Sequence, residues 1–376
     1  LLEYKFTSAI QQLIMEKPAT VGYLLGNGEL QDQQIVSLME QVLRPHYRLI
    51  PLPIDSFFAL PPELDAVIIM KPSKQFTDRQ KIKVDQYVMN GGKVLWLIDR
   101  LYAEMDSLMR SQRDFIAFDR DLNLDDLLFR YGVRIQPDLL QDLQCDQMPM
   151  VVGNMGEQPQ IELVDWPYAP LLQPSSLHPI SKNLNAVSSV FPQSIDTVLT
   201  ENNRKTILLH SSSTARLLQT PAIVSLNSIK TKEDLNAFTR RSVPVAVLLE
   251  GSFQSLYKNR IAQGLKDSMQ FLLKRPFLDH VTENKMIVIS DADIACNPVS
   301  KEQGPLEMGT NPYSGTTYAN KDFILNCMEY LVNASGILDS RGKEYTLRLL
   351  DPRKAEEQKM QWQLFATVMP FAFILL

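Results

Sequence analysis

Three carboxylates stand where apolar runs end. Asp99 follows Lys93–Ile98, and Asp291 and Asp293 follow Lys285–Ser290. Carboxylates at strand ends can bind metal or act as acid and base. Their commoner employment there is as helix caps or loop ion-pair partners. A second candidate is the turn Gly22-x-x-x-Gly26-x-Gly28-Glu29, between an apolar run and a helical pattern. Backbone amides at such a turn can hold an anion. No Lys-Ser/Thr follows and the G-x-G-x-x-G order is absent, so neither a P-loop nor a dinucleotide fingerprint is present. Tight-turn glycines are the plain reading. Asn27 and Glu29 stay as candidate ligand or partner contacts, because open α/β sheets present their crevice at strand C-termini.

Other chemistry-bearing residues are scattered. His46, His178, His210 and His280 show no H-x-x-x-H or H-E-x-x-H spacing, and Cys145, Cys296 and Cys327 form no C-x-x-C pair. No G-x-S-x-G elbow occurs. Ser211-Ser-Ser-Thr214 follows a strand pattern but reads as a polar loop, since no histidine and carboxylate are placed to serve it. We assign no catalytic, cofactor-binding or metal residue, and expect a chain that is not an enzyme.

The elements that must carry these residues alternate. Apolar runs at Val21–Leu25, Tyr47–Leu52, Asp65–Met70 and Lys93–Ile98 read as strands, the last two as strands covered on both faces. Helical spacing joins Ile35, Leu38, Met39 and Val42. Thr77 caps a helix over 78–90 that Gly91-Gly92 ends. Strand and helix in alternation predict βαβ crossovers and a mostly parallel sheet. From 100 to 180 the pattern loosens, with a helix over 121–131 and six prolines between Pro149 and Pro179 that favour extended segments. The pattern resumes at Thr206–Leu209, Val243–Leu249 and Lys285–Ser290, then closes with a helix over 321–333.

A chain of 376 residues, 45% hydrophobic and 22% charged, buries a large core. Its net charge of −5 argues against a dedicated nucleic-acid binder. Residues 2–15 have amphipathic helical spacing. Residues 336–361 form a connector in which Arg341, Lys343, Arg348, Arg353, Lys354 and Lys359 mix with Glu344, Asp351, Glu356 and Glu357. Residues 362–376 carry no charge. As a helix at ~1.5 Å per residue they reach about 22 Å, short of the ~30 Å hydrocarbon core, so we expect the start of a truncated transmembrane helix. No cleavable signal peptide is visible.

The blocks have a family order. Asp65-Ala-Val-Ile-Ile-Met-Lys-Pro-Ser-Lys-Gln-Phe-Thr77 and Lys83-Val-Asp-Gln-Tyr-Val-Met-Asn-Gly-Gly-Lys-Val-Leu-Trp-Leu-Ile-Asp99 resemble the gliding-motility ABC transporter auxiliary family GldG of Bacteroidetes. Leu127-Leu-x-x-Tyr-Gly-Val133, His178-Pro-Ile-Ser-Lys-Asn-Leu184, Ile289-Ser-Asp-Ala-Asp-Ile294 and the segment Asn320–Leu331 look like the same family. The resemblance spans roughly residues 18–376.

It implies a flavodoxin-like, mostly parallel sheet of the class I glutamine-amidotransferase-like kind shared with ThuA-like proteins, with insertions. Where amidotransferases carry a catalytic cysteine, this chain offers only carboxylates such as Asp99. The resemblance also implies an elongated α/β domain over 1–335 in the periplasm, held between membrane helices preceding Leu1 and starting at Trp362. Its partners would be an ABC permease and ATPase in the inner membrane. The function it implies is a non-enzymatic auxiliary subunit linked to gliding motility or protein export, with no cofactor. The six basic residues of the connector pull the other way, since positive residues favour the cytoplasmic side, although long domains translocate largely regardless of charge. Alternatives are a binding or sensor domain for a sugar or peptide near Asn27 and Asp99, or a residual hydrolase using Asp99, Asp291 or Asp293.

Overall fold

Period-two apolar patterning on both faces marks the strands at the centre of the main sheet. The computed structural model describes residues 18–333, apart from 106, 109–113, 156–157, 201–202, 227–231, 262–263, 265 and 268–275. The helix expected over 2–15, the charged connector and the uncharged tail lie outside the described residues. Among the described residues no helix is long and apolar enough to cross a membrane.

The first four strands are β1 (Thr20–Leu25), β2 (Arg48–Pro53), β3 (Ala66–Met70) and β4 (Lys93–Leu97). In β3, Ala66, Ile68 and Met70 join one core while Val67 and Ile69 join the core on the opposite face. β4 divides likewise, with Leu95 and Leu97 on one side and Val94 and Trp96 on the other. A strand of this kind must be covered twice.

Short strands follow: β5 (Leu101–Tyr102), β6 (Asp114–Asp119), β7 (Val133–Ile135) and β8 (Asp138–Asp142). A long hairpin comes next, β9 (Cys145–Met155) and β10 (Gln158–Pro174), where the prolines favour extended chain. The remaining strands used below are β11 (Val187–Ser188), β12 (Ile195–Thr197), β13 (Asn203–His210), β14 (Ala215–Gln219), β15 (Ala222–Ser225), β16 (Pro244–Gln254) and β17 (His280–Ile289).

The main sheet has the order β11-β10-β13-β16-β17-β4-β3-β1-β2, with β9 on β10. From β2 to β17 all neighbours are parallel; from β17 to β11 all are antiparallel, as is β9 on β10. The sheet is therefore mixed, not mostly parallel as expected. A continuous apolar run records that both faces are covered, and says nothing of strand direction. β16 and β17 share the two cores just as β3 and β4 do, but they pair with each other antiparallel.

Helix α1 (Asp78–Met89) starts as predicted. The Thr77 hydroxyl accepts from Gln80 N, and the Gln80 side chain accepts from Thr77 N, a complete capping box. Its Val84, Val88 and Met89 pack on one sheet face. Helix α2 (Asp125–Tyr131) begins later than the predicted 121 and adds Leu127, Leu128 and Tyr131 to the same face. Gly132, at φ 111°, ends it in the left-handed region. Helix α3 (Asn320–Val332) covers the other face with Phe323, Ile324, Cys327, Met328 and Leu331, which recur at the three- and four-residue spacing of one helix face. Fully burying each large side chain is worth about 1.5–3 kcal/mol. A third core, around Trp166, Tyr168 and Phe191, lies beneath β6, β8, β10 and β15.

Candidate functional site

The parallel strands deliver Asn27, Glu29, Lys71, Asp99, Asp291 and Asp293 to their carboxyl ends. Two local structures result. At the end of β1, Gly26 and Gly28 take φ of 137° and 79°. A Cβ on Gly28 would stand 2.1 Å from Ser73 Oγ. This close approach lets Asn27 O accept from Ser73 N at 2.9 Å and Lys74 N at 2.8 Å. Asn27 Nδ2 donates to Gln75 O and to Gln80 Oε1, both at 3.0 Å. Glu29 Oε2 accepts from Gly26 N at 2.9 Å and Asn27 N at 2.8 Å. Both residues are buried. Asn27 and Glu29 thus staple the β1 turn to the β3 loop and the start of α1. Burial raises the Glu29 carboxyl above its ordinary range, against the backbone amides that favour its charge. Asn27 Oδ1 and Glu29 Oε1 have no donor among the described residues.

The second structure is centred on Lys71, which follows β3 with φ 48°. Its ammonium lies 3.1 Å from Asp99 Oδ2 and pairs with Asp293 Oδ1. Asp99 Oδ1 accepts from Ala292 N at 2.6 Å. Asp291 is fully buried; its Oδ1 accepts from Asp293 N at 2.8 Å and its Oδ2 from Val190 N at 2.9 Å. Burial disfavours the Lys71 charge, but the carboxylates of Asp293 and Asp99 outweigh it and hold the pKa well above the lysine value. Burial, with Asp293 and Asp99 adding like charge, pushes Asp291 far up. Asp293 is raised by burial despite Lys71. The neighbouring Cys296 thiol is pushed well up by burial and then by Asp293.

An ammonium held this firmly is a poor base, and a thiol pushed upward is a poor nucleophile. What the arrangement does well is join strand ends. Three of the five expected site residues, Asp99, Asp291 and Asp293, come together; Asn27 and Glu29 form their own loop staple. Lys71 was not among the sequence candidates. The available signal was a lysine directly after a fully apolar strand, with Asp99 just beyond the end of the next.

Side chains alternate at the end of β4. While Asp99 points to Lys71, Ile98 and Arg100 line a cavity of about 250 Å3, with Asp119, Asp125, Leu128 and Ile135 among its walls. Arg100 sits 2.8 Å from both Asp119 and Asp125. No group of three or more metal-ligating side chains occurs among the described residues. The Ser211–Thr214 segment is the polar loop expected: Asp142 accepts from Ser212 N and Ser212 Oγ, both at 2.6 Å.

Fold and site together describe an α/β protein with a large mixed sheet, whose strand-end carboxylates are engaged by its own lysine. Residues 18–327 match the model of the ABC transporter auxiliary family, described as an "ABC-type uncharacterized transport system", and the chain belongs to that family. Membership suggests an auxiliary component of an ABC-type transport system, a non-enzymatic one with ABC transporter partners, and is consistent with a membrane-associated location. No curated protein matches the chain. Among solved structures, the "mmIFT52 N-terminal domain" is similar at a TM-score of 0.45 and 13% identity, over 84% of this chain and 99% of that one. A likeness that slight carries no argument.

Proposed function

We propose that this chain is a non-enzymatic auxiliary subunit of an ABC transporter complex of the GldG kind, serving gliding motility or the associated protein export. It acts by binding a partner or ligand outside the inner membrane, and the ATPase resides on another subunit. The observation that supports the non-enzymatic part is the engagement of Asp99 and Asp293, two of the three strand-end carboxylates, by Lys71.

The order β2-β1-β3-β4-β17 within the parallel half supports a flavodoxin-like, amidotransferase-like core, since 2-1-3-4-5 is the order of that class. In this reading residues 1–335 form the periplasmic domain, with a looser insertion over about 100–180. Residues 336–361 connect it to a membrane helix beginning in 362–376.

Purification of the full-length protein from its membranes tests the assignment. A permease and an ATPase are expected to accompany it, and the absence of both overturns the subunit reading. Placement is tested separately by Leu199→Cys, at a fully exposed site. An impermeant maleimide is expected to label it in cells with an intact inner membrane; labelling only after that membrane is breached overturns the periplasmic assignment.

A second reading, a binding or sensor domain for a sugar or peptide, draws on the cavity lined by Ile98, Arg100 and Asp119, which neither Asn27 nor Asp99 lines. It predicts a ligand-dependent rise in Tm that Asp119→Asn abolishes.

A further inference from the structure

The cavity of about 250 Å3 beyond the end of β4 has two unlike walls. Ile98, Leu122, Leu124 and Leu128 are buried and make an aliphatic floor. The rim comes from one short stretch of chain, where Asp119, Asp121, Asp125 and Asp126 all line the opening.

The rim is preformed. Asp121 and Asn123 take φ of 49° and 56°, a conformation that Asp and Asn adopt more readily than other residues with a Cβ. Asn123 Nδ2 donates to Phe76 O at 2.8 Å, and Asn123 Oδ1 accepts from Lys81 Nζ at 3.2 Å. Leu122 O accepts from Phe76 N at 3.0 Å. These bonds tie the rim to the start of α1, so an occupant meets it without the cost of ordering a loop.

Nearby cations do not balance the rim. Arg100 serves Asp119 and Asp125 together, each at 2.8 Å. Lys81 serves Asp126 at 2.9 Å and Asp78 at 3.5 Å. Arg134 acts on Asp125 from farther off. The carboxylates outnumber these cations. Asp121 is met by the neutral Gln75 amide at 2.6 Å and by no ion pair among the described residues.

The same contacts exclude other ligands. Arg100 has little to offer an anion, because Asp119 holds Nε and Nη2 and Ile135 O holds Nη1. A hard divalent ion would have to share Asp119 and Asp125 with that guanidinium, and gains nothing from an aliphatic floor. A cation with an aliphatic body uses both walls.

We infer that this cavity takes a primary alkylammonium group, carried by a peptide lysine or by a free diamine. Its methylene stem lies over Leu122, Leu124 and Leu128. Its ammonium donates to Asp121 and Asp125, whose Oδ1 atoms take part in none of the bonds above. The inference rests on the binding-domain reading of this cavity and names its ligand class.

Calorimetric titration of the full chain at fixed ionic strength tests it, with cadaverine and a capped tripeptide with a central lysine as probes. Both are expected to bind saturably and to raise Tm; whichever binds more tightly identifies the source of the group. Pentanediol, which keeps the stem and lacks the charge, is expected not to bind. Methylamine, which keeps the charge and lacks the stem, is expected to bind about tenfold more weakly than cadaverine. Asp121→Asn, at an exposed position whose backbone conformation Asn adopts, is expected to weaken cadaverine about tenfold with the Tm of the free protein unchanged. Absence of amine binding overturns the inference, as does equal binding of pentanediol, displacement of cadaverine by equimolar calcium, or undiminished binding in the variant. A hexose or a lysine-free peptide that raises Tm while neither amine probe binds leaves the binding-domain reading standing and this inference fallen. If no probe of any kind binds, both fall.

Discussion

Lys71 Nζ lies 3.1 Å from Asp99 Oδ2, joining the carboxyl ends of adjacent strands β3 and β4, and its pairing with Asp293 extends the tie to β17. All three side chains are withdrawn from solvent to a large degree, with the lysine side chain only 10% exposed. One cation thus neutralises parts of two carboxylates at the point where ligands sit in open α/β sheets. A buried pair of this kind gains little over a well-packed apolar substitute, yet losing one member is costly because the other charge is left stranded.

Lys71→Met is therefore expected to destabilise the chain by about 3–5 kcal/mol, the range for breaking a buried pair. Denaturant unfolding measures it. The double variant Lys71→Met, Asp293→Asn is expected to recover part of the loss, because one stranded carboxylate is removed. A single variant as stable as the wild type would show that the tie is dispensable.

Asp291 supplies a dependence on acid. Burial, then Asp293 and Asp99, raise its pKa in the folded state well above the unfolded carboxylate value of 3.8. Between those two values the folded state binds more protons than the unfolded one, so stability falls as pH rises through the window. Asp291→Asn removes that term while keeping one acceptor oxygen. The stability of the variant relative to the wild type is expected to improve steadily as pH rises above about 4. Parallel Tm measurements from pH 4 to 8 check it, and a constant difference would contradict it.

Lys285 gives the opposite sign in alkali. Burial and the nearby Lys93 lower its pKa from 10.5 to about 8, although it donates to Tyr330 O and lies 4.3 Å above the Tyr330 ring. The unfolded chain binds more protons than the folded one between those values, so this residue contributes stability that grows as pH rises from about 8 to 10.5. In Lys285→Met that rise is expected to vanish, which unfolding curves at pH 7.5, 9 and 10 would reveal.

Much of the architecture is local information. The apolar runs that become β1, β3 and β4, the Thr77 and Gln80 pairing that starts α1, and the five-residue stripe of α3 each depend on neighbours within a turn or a pleat. Such features need no knowledge of the rest of the chain. The candidate residues Asp99, Asp291 and Asp293 were legible for the same reason, as carboxylates next to apolar runs.

Strand direction and partnership were not local. Nothing in Val245–Leu249 or Met286–Ile289 distinguishes a parallel neighbour from an antiparallel one, because both arrangements bury two apolar faces. Only the tertiary pairing decides it. Lys71 likewise meets Asp293 across 222 positions of sequence, and the cavity beside Arg100 forms from the ends of β4, β6 and α2. The sequence alone determined the strands β1 to β4, β13, β16 and β17, the helices α1 and α3, and the carboxylates that follow β4 and β17, since steric and apolar periodicity act over a few residues. Tertiary structure alone decided that those carboxylates face a buried lysine, because an ion pair depends on through-space distance, which chain separation does not encode.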